Sequence, residues 1–173
     1  CQLAQHEALD AATKGFKDAL TEKLLLQAGY RRYEISNYCL DGFACKHNTV
    51  YWRRGNYVGF GLGAASMVEN VRFRNADKLS DYLDAPCKTA ERTPLSIPEQ
   101  MAEFLFLGLR LTDGVSKSRF AECFGVSMEE VYGEVLQKNA MDGLLENGER
   151  VFLTERGRDV SNYVMAQFLL DDY

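Results

Sequence analysis

The sequence is short of what several protein classes require. Cysteine is sparse, with five residues (Cys1, Cys39, Cys45, Cys87 and Cys123) among 173. Their number is odd, their spacing irregular, and no C-x-x-C pair occurs. A secreted disulfide scaffold is smaller and denser in cysteine, so reduced thiols and a cytoplasmic location are expected. The common zinc and thioredoxin signatures are excluded by the same spacing. Positive charge is also in deficit: 20 Lys and Arg stand against 25 Asp and Glu, for a net charge of −5 at pH 7. Bulk composition therefore offers nothing for nucleic acid or an anionic membrane to hold. No apolar run approaches the ~20 residues of a membrane span, and no signal-peptide pattern opens the chain. The first residue is Cys1 rather than Met, and a helical pattern begins almost at once, so a piece of a longer protein is expected.

What is present suffices for a core, since 46% of the residues are hydrophobic. Phe16, Ala19, Leu20, Leu24 and Ala28 recur at helical spacing, and Gly29 stands where a left-handed cap closes a helix. Over 31–37, Tyr33 and Ile35 alternate with Glu34 and Ser36, which predicts a strand entered directly from a helix, the repeating step of an α/β barrel or layered sheet. A polar loop is expected from Cys39 to Asn56, followed by a glycine-rich strand from Tyr57 to Gly63 with one face bare. Ser66–Val68 and Val71–Phe73 read as a hairpin around Glu69 and Asn70, and 77–84 as a short helix.

The aperiodic stretch Ala85–Pro94 predicts a domain boundary, dividing residues 1–84 from 95–173. Beyond it, Ser96-Ile-Pro-Glu99 and Ser127-Met-Glu-Glu130 are capping boxes that open helices, with another helix over 117–124 ending at Gly125. Leu144–Leu145 and Val151–Leu153 form a small hairpin, and Thr154 caps a last helix carrying Val160, Val164 and Phe168. Helices, a two-stranded wing and a closing helix predict a winged-helix-like module. Such modules often bind DNA. From Val115 onward, however, six Lys or Arg face eleven Asp or Glu, and the candidate recognition helix begins with Glu129, Glu130 and Glu134. Phosphate contacts need the opposite sign, so DNA binding is rejected in favour of protein packing.

The densest chemistry lies at Cys45-Lys-His47-Asn48-Thr-Val-Tyr51-Trp52, with one of two histidines and the only tryptophan. An imidazole is a good iron ligand, and flanking aromatics suit the apolar face of a tetrapyrrole. Read from the residues alone, one histidine beside aromatics is more often a hydrogen-bonded structural residue than a ligand. The Gly59-x-Gly61-x-Gly63 string is not followed by the helix a dinucleotide fingerprint requires, so the Rossmann reading fails.

Gly42 through Ser66 resembles the oxygen-independent coproporphyrinogen III oxidase family of radical S-adenosylmethionine (SAM) proteins. Within it, His47-Asn-Thr-Val-Tyr51-Trp52 resembles the H-N-x-x-Y-W motif of the HemW-type haem-chaperone branch. The segment 33–38, the glycine string, Phe104–Arg110, Asp113–Val115, Gly143–Leu145 and Leu153–Thr154 extend the resemblance over nearly the whole chain. It implies an α+β fold: the closing helix and strands of a partial radical-SAM (β/α) barrel, then the small helical winged-helix-like domain. It implies haem as ligand, with His47 as contact to the iron, Tyr51 and Trp52 as supporting aromatics, Asn48 as hydrogen-bonding partner, and Cys45 as a weaker candidate. Gly63 and Ala65 would lie near SAM in the longer parent. That parent's [4Fe–4S] cluster needs a C-x-x-x-C-x-x-C loop, absent here, so the chain alone is not expected to cleave SAM. The implied partners are haem and a haem-acceptor protein such as a respiratory-chain component, with self-association of the isolated chain through exposed apolar surface. Two alternatives stand beside this reading: part of an enzyme that decarboxylates coproporphyrinogen III, and a plain interaction module.

Overall fold

The computed structural model describes residues 19–85 and 89–169. Contacts divide the chain into two compact units, Cys1–Cys45 and Lys46–Tyr173, which are described separately. No described helix is long and apolar enough to cross a membrane. The helical pattern before residue 19 lies outside the described residues.

In the first unit, residues 19–27 are helical (α1), and Gly29 takes the left-handed conformation (φ 85°) expected of a cap. The expected strand over 31–37 is not formed. Two-residue strands, β1 (Arg31–Arg32) and β2 (Tyr38–Cys39), pair antiparallel around a turn instead. The reason is Glu34, which is fully buried: its Oε1 accepts the Ser36 N–H at 2.8 Å and the Asn37 Nδ2–H at 2.6 Å. A carboxylate holding donors two and three residues ahead closes the backbone on itself. Arg32 reinforces the turn, donating to Glu22 at 3.0 Å and to the Ile35 carbonyl at 2.9 Å.

The second unit opens with α2 (Lys46–Trp52), within what was expected to be loop. Next come β3 (Ala65–Val68) and β4 (Val71–Asn75), joined as expected at Glu69 and Asn70, both left-handed (φ 50° and 62°). Two positive φ angles in succession match the twist of a two-residue hairpin. The glycine-rich strand is reduced to one bridge, Tyr57 to Met67. A Cβ on Gly59 would stand 2.3 Å from the Ala65 carbonyl, so its bare face admits neighbouring backbone. After α3 (Leu79–Asp84), the stretch read as an aperiodic boundary contains β5 (Thr89–Pro94), antiparallel to β4 with Val71 opposite Pro94. The edge of β4 supplied the pairing that local pattern did not reveal.

The remainder follows its local signals. Helix α4 (Ile97–Gly108) opens on the Ser96/Glu99 capping box. Strand β6 (Val115–Ser116) leads into α5 (Lys117–Phe124), which ends at left-handed Gly125. Helix α6 (Met128–Met141) opens on the Ser127/Glu130 box. Strands β7 (Leu145–Asn147) and β8 (Arg150–Leu153) form the expected hairpin, with β6 on the far side of β8. Thr154 caps α7 (Glu155–Asp159), and the expected single last helix breaks at Val160 before α8 (Ser161–Ala166).

An aromatic cluster runs through a largely aliphatic core. Phe120 meets Phe124 at 4.7 Å and Tyr132 at 6.2 Å between ring centroids, and Tyr132 meets Phe168 at 5.5 Å. Asn139 on α6 is fully buried and exchanges two amide hydrogen bonds with Gln167, at 3.2 and 3.3 Å, fastening the end of α8. The buried Tyr132 hydroxyl has no hydrogen-bond partner, and burial pushes its pKa up to about 12. A pKa raised on folding contributes stability present below the unfolded value of about 10 and lost as pH rises towards 12. Tyr132→Phe removes both the orphaned hydroxyl and the titration. Urea unfolding should show it equal to or about 1 kcal/mol more stable than the parent at pH 7, with a smaller fall in stability between pH 10 and 12.

Candidate functional site

Helix α2 carries four of the five residues singled out for haem. Cys45 stands just before it and is exposed. His47 is exposed near the helix start, and Tyr51, one turn on, meets its ring edge-on at 4.9 Å. Tyr51 in turn meets Tyr57 at 4.6 Å. Because Tyr57 is hydrogen-bonded to Met67 through both backbone directions, at 2.8 and 2.9 Å, the three rings form a ladder from α2 to β3.

Trp52 does not join that ladder. Five residues after His47, it is turned about 140° around the helix. The guanidinium of Arg110 lies over its ring at 4.2 Å, a favourable cation–π distance. Its indole Nε1 is buried without a hydrogen-bond partner. Asn48, half-buried, lies one turn before Trp52 on this second face. The structure thus groups His47 with Tyr51, and separately Asn48 with Trp52.

The helix is locked to its surroundings by a buried carboxylate. Glu103 of α4, only 5% exposed, accepts from Arg54 Nε at 3.1 Å and pairs with Arg72 of β4 at 2.5 Å. Arg54 is left-handed (φ 52°) and also donates to Asn70 Oδ1 at 3.0 Å. The two charges around Glu103 offset its desolvation.

Beside Trp52 lies a cleft of about 580 Å³. Trp52, Phe104, Leu111 and Val115 give it apolar lining, while Arg53, Arg54, Arg119 and Arg150 bring positive charge to it and Asp113 negative charge. Arg150 is held in place by Asp113, donating to its carbonyl at 2.7 Å and its carboxylate at 3.2 Å.

The two small residues assigned to SAM lie elsewhere. Gly63 is left-handed (φ 65°) beside the Arg74–Asp77 ion pair, its carbonyl accepting from Arg74 Nε at 3.0 Å. Ala65 is exposed on β3 opposite Arg74.

Comparison with known proteins supplies relatives. Residues 95–160 match the HemN C-terminal domain. Over 152 residues the chain is 38% identical to the heme chaperone HemW of Lactococcus lactis, covering 86% of this chain and 40% of that protein. It is 38% identical over 146 residues to the heme chaperone HemW of Bacillus subtilis, covering 82% and 38%. The chain is thus similar to one part of the HemW proteins and carries a match to the HemN C-terminal domain. It spans about two-fifths of the length of these curated relatives. Among solved structures, the fold is similar to that described as coproporphyrinogen III oxidase (HemN) from Escherichia coli, a radical SAM enzyme. The TM-score is 0.67 at 16% identity, covering 87% of this chain and 39% of that one. This likeness concerns the fold, a mixture of helices and antiparallel sheets.

Sequence reasoning missed Glu103 and the cleft arginines. A signal for Glu103 existed: it is the one charge within Met101–Leu109, an otherwise apolar helical run. Arg54, Arg72 and the cleft are assembled from distant segments and left no local trace. Removing one partner of a buried charge pair leaves the others uncompensated. Glu103→Ala should therefore cost about 3 kcal/mol in urea unfolding. A loss below about 1 kcal/mol would mean that solvent already screens the triad.

Proposed function

We propose that the chain is the haem-binding portion of a cytoplasmic haem chaperone that passes haem to an acceptor protein, a respiratory-chain component being the kind of acceptor the family resemblance implies. The observation that carries this reading is the exposed imidazole of His47, backed edge-on by Tyr51 and through it by Tyr57. An imidazole open to solvent on one side and held by rings on the other offers a nitrogen to haem iron, while the aromatics shield part of the macrocycle. In this reading Cys45 is the secondary ligand candidate, and Asn48 and Trp52 serve the second face of the helix. The names of the relatives support haem as cargo. The porphyrinogen-oxidase alternative draws no support from them.

Residues 1–84 are read as the end of the barrel region and 95–173 as the winged-helix-like domain, in which α5, α6 and the β7–β8 hairpin take the parts of helices and wing. Among the described residues no group of three or more His, Cys, Asp or Glu side chains is arranged to hold a metal ion. The described residues therefore do not fit an iron–sulfur cluster. Gly63 and Ala65 fit the approach of SAM by their small size alone. Self-association of the isolated chain is supported by Val58, Phe60 and Leu62, which are 54%, 89% and 48% exposed.

The test is a visible-absorption titration of haem into the chain. A saturable Soret shift is expected, lost in His47→Ala and weakened in Tyr51→Ala. A shift indifferent to His47→Ala would assign binding to adsorption and end the reading of His47 as ligand.

A further inference from the structure

We propose that the cleft beside Trp52 is a second binding site, taking a flat, apolar ring that carries carboxylates. The choice of a tetrapyrrole as that ring rests on the chaperone reading; the chemistry of the cleft does not. Three observations point to it. The cleft's volume, about 580 Å³, suits a small molecule rather than a single water or ion. Its lining includes the aromatic rings of Trp52 and Phe104 together with Leu111 and Val115, surfaces that favour a planar apolar body. Its charge is opposite to that of the chain.

That last point follows from the pairings. Arg54 and Arg72 share the carboxylate of Glu103. Arg53 and Arg150 share that of Asp113, at 4.0 and 3.2 Å. Arg119 is paired with Glu122 at 3.0 Å. Of the arginines that line the cleft, Arg53 and Arg150 set two guanidinium charges against the one carboxylate of Asp113, so positive charge is left over at the cleft of a chain whose net charge is −5. Arg150 spends its donors on Asp113 and on the Gly114 carbonyl, and so shapes the wall. Arg53 and Arg119 have side chains 65% and 66% exposed and are the ones placed to receive carboxylates. His47 is not among the lining residues, so this site does not require iron.

Metal-free protoporphyrin IX is the probe, because it cannot be ligated by His47. Cys123 lines the cleft and bears an exposed free thiol, so its alkylation reports on occupancy. Protoporphyrin IX is expected to slow iodoacetamide labelling of Cys123, followed by peptide mapping, in a saturable manner. The double variant Arg53→Gln/Arg119→Gln, both changes at exposed positions, should bind at least about tenfold more weakly, the loss of one charge-assisted hydrogen bond. His47→Ala should bind as the parent does, and a tetracationic porphyrin should give no protection. Protection by the cationic porphyrin, or protection unchanged in the double variant, would overturn the proposal. So would the absence of protection by protoporphyrin IX. A haem Soret shift that depends on His47 while Cys123 stays unprotected would sink this site and leave the chaperone reading standing. Protection without any His47-dependent shift would do the reverse.

Discussion

Glu103 sits among Met101, Ala102 and Leu105, in the most buried turn of α4, and its negative charge is tolerated there because two guanidinium groups reach it. Arg54 comes from the turn immediately after α2, and Arg72 from the middle of the β3–β4 hairpin. One carboxylate therefore fixes three elements that are distant in sequence. Arg54 does so in a left-handed conformation, and the strain of that conformation is tolerated because Glu103 and Asn70 both hold its side chain. The orientation of α2 about its own axis follows, and with it the direction in which every residue of the histidine motif points.

That orientation splits the motif. Residues four apart share a helical face, which groups His47 with Tyr51 and Asn48 with Trp52. The first pair faces solvent and the tyrosine ladder; the second pair belongs to the face that carries Trp52 to Arg110 and the cleft. A linear motif of six residues thus serves two surfaces. The sequence suggested one cluster because spacing was read without a helix: the segment from Cys39 to Asn56 is polar enough to look like loop, and α2 is only seven residues long.

The same distinction separates what could be read from residues and what could not. The boxes at Ser96 and Ser127, the cap at Gly125, the Glu69–Asn70 turn and the β7–β8 hairpin depend on atoms within eight residues of each other, and all were legible. Strand β5 depends on an edge of β4 fourteen or more residues away, and its sequence, Thr89–Pro94, has no alternation of its own to announce it. The turn at Glu34 was misread for the opposite reason. Its alternation was genuine, but the buried carboxylate captured Ser36 and Asn37 before the backbone could extend. Glu103 was readable only as an anomaly, a charge in an apolar stripe, and its partners came from elsewhere.

If the chain binds haem as proposed, the exposure of His47 bears on what kind of haem binding this arrangement suits. A resident haem is retained by burying the macrocycle and its ligand, so that release requires unfolding the pocket. Here the imidazole is exposed, its contact with Tyr51 is edge-on, and the helix that carries it is short. A ligand held in that way is open to displacement by a competing imidazole from an acceptor. Rigid support from Glu103 would lower the ordering cost of such a capture, since α2 is already fixed without the ligand. Firm positioning with shallow burial is the combination that cargo transfer requires: binding without reorganisation, and a ligand that a second protein can reach.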